Sequence, residues 1–264
     1  KQNGEALGYA SEILRRDREV VMAAIKNSEY AMGVAQINFK EDREVIMTAV
    51  KHSGKSLSYL SKEFQNDREV VMTAVKQNGD ALSYASEILR RDREVVMAAV
   101  KQEGNALRSA SKKLRDDKEV VIIAVKNYGD PRNAADNRYA LEYASKKLQN
   151  DREVVIAALQ TLGYVLQYAS KKLQNDREVV MTAVKQLGDG YVLQYASKKL
   201  QNDREVVMTA VKSNGNALEY ASKELQNDKE IVMIAVKKFG RPLKYASEEL
   251  QADEELIALA KKRD

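Results

Sequence analysis

One block of sequence, residues 67–78 (DREVVMTAVKQN) followed by Gly79 and ALSYASEIL, recurs from one end of the chain to the other and constrains the fold more than any other feature. Its opening aspartate returns as Asp17, Asp42, Asp67, Asp92, Asp117, Asp151, Asp176, Asp203, Asp228 and Asp253, at steps of 25 residues except for one of 34 and one of 27. Two insertions account for the longer steps, nine residues at 130–138 and Asp189-Gly190 after Gly188. A hairpin of this length cannot enclose its own apolar surface, so the units must stack and share a core.

Each unit reads as two short helices separated by a glycine, because both halves carry helical rather than alternating periodicity. Asp17 and its equivalents can cap the first helix, and Glu19 places negative charge in its first turn, where the helix dipole favours it. Where Asn precedes the Asp, as in Asn66-Asp67-Arg68-Glu69, a capping box starting one residue earlier is an equal alternative. At 100° per residue, Val20, Val21, Met22, Ala24 and Ile25 form a face too wide for one partner helix, with Glu19, Ala23, Lys26 and Asn27 left for solvent. The glycine that follows is expected to stop the helix in a left-handed conformation. It is present as Gly4, Gly54, Gly79, Gly104, Gly129, Gly163, Gly188, Gly215 and Gly240, and replaced by Glu29 in one unit. In the second helix Leu7, Ala10, Ser11 and Leu14 fall on one stripe, with Tyr9 on its flank and Pro242 tolerated in the first turn of the last copy.

The expected fold is therefore all-α: a right- or left-handed α-solenoid of about ten 25-residue helix-turn-helix repeats, one continuous array over 1–264. The opening KQNG resembles the tail of a first helix, which suggests a piece cut from a longer array. The final segment, from Leu256, turns polar at Lys261, as a terminal cap should. The unit at 27–39 loses the glycine and replaces Tyr and Ser by Val34 and Gln36, so its hairpin is expected to be the least regular. The insertion, with its Asp130-Pro131 and mixed charges, reads as a surface loop of the kind that can carry function on a rigid scaffold. Residues 164–185 reappear letter for letter as 191–212, a sign of growth by duplication and of a surface that works by spread.

The unit D-[RK]-E-V-V-x-x-A-V-K-x-x-G-x-A-L-x-Y-A-S-x-x-L, as it stands from Asp67 to Leu89, resembles the repeat family catalogued as domain of unknown function 4116. The resemblance covers nearly the whole chain apart from the insertion and the irregular second unit. It implies tandem arrays and carries over no functional residues.

The chain has no cysteine, which excludes disulfides and thiolate zinc sites. No apolar run approaches a membrane span and no export signal is visible, so the expected setting is intracellular, in the cytoplasm. A hydrolytic or transfer site needs a nucleophile, a base and an orienting group together. The single histidine, His52, stands alone where other units have Gln. The serines at Ser11, Ser61, Ser86, Ser111, Ser145, Ser170, Ser197, Ser222 and Ser247 recur too often for a nucleophile and suit a hydroxyl bonded back to the preceding turn. The glycines do not follow phosphate-binding spacing. No catalytic residue, cofactor or metal is expected.

The columns with binding potential are tyrosines and lysines. Tyr9, Tyr59, Tyr84, Tyr143, Tyr168, Tyr195, Tyr220 and Tyr245 share one flank of the second helix, with Ser109 in the tyrosine place of one unit. Three are followed by lysine pairs: Tyr143 by Lys146 and Lys147, Tyr168 by Lys171 and Lys172, Tyr195 by Lys198 and Lys199. Residues 101–200 hold 18 basic and 12 acidic side chains, so the net charge of +5 comes from the centre of the chain. Two readings follow. In one, the tyrosines pack between repeats, the lysine stems cover the rings, and the array is a non-catalytic scaffold for another protein, with Arg132 and Arg138 of the insertion part of its surface. In the other, the stripe stacks the bases and neutralises the phosphates of a nucleic acid.

Overall fold

A computed structural model describes residues 4–28, 30–127, 139–185, 190–238 and 240–262. Among these residues every regular element is helical. The chain forms two compact units, Lys1–Ser145 and Lys146–Asp264.

Within each unit two layers run side by side. In the first, helices Arg43–His52, Arg68–Gln77, Arg93–Gln102 and Lys118–Lys126 stack in sequence order, and the 3-10 helices Gly54–Tyr59, Gly79–Tyr84 and Gly104–Ser109 stack beside them. In the second, Arg152–Leu159, Arg177–Val184, Arg204–Ser213, Lys229–Lys238 and Glu254–Lys261 make one layer, and Gly163–Tyr168, Gly190–Tyr195, Gly215–Tyr220 and Arg241–Tyr245 the other. The core lies between the layers. Val70, Val71, Ala74, Val75, Ala81 and Leu82 lose all solvent contact, most of their equivalents in the other repeats are buried as well, and Met72 lies half-buried at the edge. The wide apolar face of the first helix is thus covered by its own 3-10 helix and by the helices of adjacent repeats. This is an all-α repeat solenoid.

The second half of a unit is not one continuous helix. It is a 3-10 helix, an extended step and a short helical turn, as in Gly79–Tyr84, Ala85 at φ −67° and ψ 153°, and Leu89–Arg91. The serine after the step explains the break. Ser86 accepts from the N–H of Leu89 at 3.3 Å as an N-cap, and its own N–H, with no helical partner, donates to the carbonyl of Gln65 one repeat earlier at 2.8 Å. Ser111 reaches Arg90, Ser170 reaches Gln149, Ser197 reaches Gln174, Ser222 reaches Gln201 and Ser247 reaches Gln226 in the same way, at 2.9 to 3.0 Å. The serine hydroxyls act across repeats too, in place of the expected bond to the preceding turn: Ser86 donates to Asn66 at 2.5 Å and Ser170 to Asn150 at 2.6 Å.

The recurrent glycine has a different role from the one its position suggests. Helix Arg68–Gln77 ends on Asn78, which is extended at φ −148° and bonds its N–H to Ala74, and Gly79 opens the following 3-10 helix without a left-handed backbone. A Cβ on Gly79 would stand 2.4 Å from the carbonyl oxygen of Ala99 in the next repeat, and one on Gly104 would stand 2.1 Å from that of Ala124. Close approach of two backbones, not helix termination, demands the glycine. The unit that lacks it, expected to be the least regular, departs from the others by forming an α-helix, Ala31–Phe39, in place of the 3-10 segment. The insertion at 130–138 and Asp189 lie outside the described residues.

Candidate functional site

The segment Ser-Lys-Lys-Leu-Gln-Asn supplies most of the predicted stripe, and its two lysines differ in role. Gln174 is buried, and its side-chain amide donates to the carbonyls of Leu166, Gln167 and Ala169 at 3.1 to 3.2 Å, tying off the end of the preceding 3-10 helix. Its oxygen accepts from Lys171 at 2.9 Å. Lys146 to Gln149, Lys198 to Gln201 and Lys223 to Gln226 repeat the bond at 2.9 Å. The first lysine of each pair is therefore engaged in satisfying a buried carboxamide. The second lysines, Lys147, Lys172 and Lys199, are exposed and have no partner among the described residues.

Tyr168 and Tyr195 are half-buried at the ends of successive packed 3-10 helices in the second unit, and Tyr143 is half-buried at the end of Ala140–Tyr143 in the first. Tyr220, next in the column, meets Tyr191 edge-on at 6.1 Å between ring centroids, and burial pushes its phenol above the ordinary tyrosine range. Lys244 lies over the Tyr245 ring at 4.7 Å. The tyrosines thus form partly covered columns, with Tyr9 and Tyr84 the exposed exceptions. Arg132 and Arg138 lie outside the described residues.

The acidic and basic residues of the Asp-Arg-Glu triplet form a second repeated device, one that periodicity alone did not reveal. Asp67 accepts from the N–H groups of Glu69 and Val70 at 2.9 and 3.0 Å, as the expected cap, and also receives Arg43 of the preceding repeat at 2.6 Å. Arg43 reaches on to Glu69 at 2.5 Å. Arg18, Arg68 and Arg93 bridge in the same sense in the first unit, and Arg177, Arg204 and Lys229 in the second. The Arg43 guanidinium holds the Asp67 carboxyl below the usual range against the opposing effect of burial, with the Val70 N–H adding to it. His52 is exposed in the place of Gln77. Among the described residues no group of His, Asp or Glu side chains has a metal-holding arrangement, and no helix is long and apolar enough to cross a membrane.

Fold and surface together define a helical-repeat protein whose polar consensus residues join one repeat to the next. The family described as Domain of unknown function (DUF4116) matches over residues 1–40, 42–90, 92–149, 134–174, 151–201, 176–226, 203–251 and 228–264, and the chain belongs to it. Searches of curated proteins and of solved structures found no match.

Proposed function

We propose that the array is a non-catalytic scaffold that binds another protein along its repeated surface columns. The observation that carries this reading is the engagement of the reactive consensus side chains: the Asp, Glu, Arg and Ser of the unit hold neighbouring repeats together, and the Gln ties off its own 3-10 helix. What recurs outward is a broad, periodic, mixed surface, which suits recognition over an extended area. The step from fold to function is one of analogy. An intracellular setting belongs to the same proposal and rests on the absence of cysteine alone.

A second reading, nucleic-acid binding, keeps one specific observation in its favour: Lys147, Lys172 and Lys199 are unengaged among the described residues, beside half-buried tyrosines. One experiment separates the two. Fluorescence anisotropy with single-stranded and duplex oligonucleotides is read at low and at physiological salt, alongside reconstitution of a captured protein partner from purified components. The scaffold reading expects a stoichiometric protein complex that survives Lys147→Glu, Lys172→Glu and Lys199→Glu, and oligonucleotide binding that vanishes at physiological salt. Oligonucleotide binding that persists there and is abolished by the three reversals would replace it with the second reading.

A further inference from the structure

Two consecutive units in the first half of the chain depart from the interlocking Gln and Asn pattern. In 86–91 (SEILRR) and 111–116 (SKKLRD), Arg90 and Arg115 stand where Gln149 and Gln174 are buried, and Arg91 stands where Asn66 and Asn150 accept a serine proton. The replacement turns acceptors into donors. The Nε atoms of Arg90 and Arg115 are buried without an acceptor, whereas Arg15, in the same place of an earlier unit, donates its Nε proton to Ala10 at 3.0 Å. Ser111 accepts from the Leu114 N–H at 3.4 Å, but its own proton has no acceptor among the described residues. Lys112 likewise lacks the glutamine oxygen that Lys146 and Lys171 use.

These groups share one groove. It is lined by Arg90, Arg91, Lys112, Lys113 and Arg115, with Glu87 the only carboxylate, and Glu87 is paired with Arg91. Ser109 takes the tyrosine place on the groove's wall, and Tyr84, one repeat earlier, is 40% exposed. The equivalent groove between the last repeats of the second unit differs: Tyr245 lines it, and Glu219, Glu248 and Glu249 outnumber Lys223 and Lys244. Lysine pairs recur at Lys146 and Lys147, Lys171 and Lys172, and Lys198 and Lys199, but there the buried glutamine is retained, so what sets the two units apart is arginine in its place.

We propose that the Ser109 groove is a binding site for a phosphate or pyrophosphate group. Such a ligand offers only acceptors and negative charge, and the groove offers the Ser111 hydroxyl, the ammonium groups of Lys112 and Lys113 and the guanidinium charge of Arg90 and Arg115, whose Nε atoms themselves are buried. Guanidinium groups suit tetrahedral oxyanions through charge-assisted bonds, and the lysines add point charges at the rim. The site is independent of the partner proposed for the array as a whole.

The test is calorimetric titration of the full chain with inorganic pyrophosphate at low ionic strength, in parallel with ADP. One site per chain is expected. Equal affinities assign the groove to the free anion, and tighter binding of ADP assigns it to a nucleotide. The double variant Arg90→Gln/Arg115→Gln restores the glutamine of other units and so retains the fold, checked by circular dichroism, while weakening binding about tenfold or more. Lys76→Gln/Lys101→Gln, which removes the same charge at two exposed residues outside the groove, should leave binding unchanged. Absence of pyrophosphate binding at low ionic strength, or equal affinity in the folded Arg90→Gln/Arg115→Gln variant, overturns the proposal. So does a loss with Lys76→Gln/Lys101→Gln equal to that in the arginine variant, which would mean diffuse charge attraction.

Discussion

Asp67 receives the Arg43 guanidinium at 2.6 Å while capping its own helix through the N–H groups of Glu69 and Val70, so one carboxylate both starts a helix and joins it to the repeat before. The two roles separate by substitution. Asn remains a good N-cap but carries no charge, whereas Ala removes both functions. Asp67→Ala should cost about 1 kcal/mol or somewhat more, and Asp67→Asn less than half of that, since an exposed ion pair contributes little by itself. Urea unfolding of the two variants and of Arg43→Ala checks the division. Equal losses for the Asn and Ala variants would assign the role to the charge.

The same pairing sets an acid limit on stability. The carboxyls of Asp42, Asp67 and Asp203 are held below their ordinary range chiefly by Arg18, Arg43 and Arg177. Each binds its proton less readily folded than unfolded, so its contribution is complete above the unfolded value of about 4 and disappears as pH falls through the lower folded value. Urea midpoints should hold from neutrality to about pH 5 and then fall steeply below about pH 4. A midpoint that stays level to about pH 2 would contradict this.

Gly79→Ala forces a methyl group to within 2.4 Å of the Ala99 carbonyl oxygen. Because that atom is backbone, the repeats must move apart, and a loss of about 1–3 kcal/mol is expected. Gly8→Ala, whose added carbon would find only Val34 at 4.0 Å, serves as the control and should be neutral within about 0.5 kcal/mol. Thermal unfolding of both variants is sufficient. A neutral Gly79→Ala would mean that the backbones do not meet so closely in solution.

Two neighbouring lysines should respond differently to change. Lys171 donates to the buried Gln174, whose amide in turn satisfies Leu166, Gln167 and Ala169, while Lys172 points to solvent. Gln174→Leu removes the amide's bonds to those carbonyls, of which only that of Leu166 keeps a second donor, the Ala169 N–H, and should cost about 1–3 kcal/mol. Lys172→Met should change stability by no more than about 0.5 kcal/mol. Chemical unfolding of these variants and of Lys171→Met, whose loss should fall between theirs, tests whether half of the basic stripe belongs to the fold.

The period, the helical class, the capping aspartate and the apolar face of the first helix were all legible in the sequence, because each depends on spacing within a single unit. Val70, Val71, Ala74 and Val75 repeat at helical intervals, and Asp67 stands where a cap must. The basic stripe was legible only as composition: nothing in the order Ser-Lys-Lys-Leu-Gln-Asn separates a lysine bonded to a buried glutamine from one left free. Only the tertiary structure decided that, along with the glycine's contact to the next backbone, the break of the second helix at its serine and the reach of each arginine across one period. The last three depend on where a residue meets the neighbouring repeat, and the lysine's bond, though local, depends on the burial of Gln174 beneath the stacked layers. Local propensity has no access to either, since both are fixed by the stacking of one repeat on another.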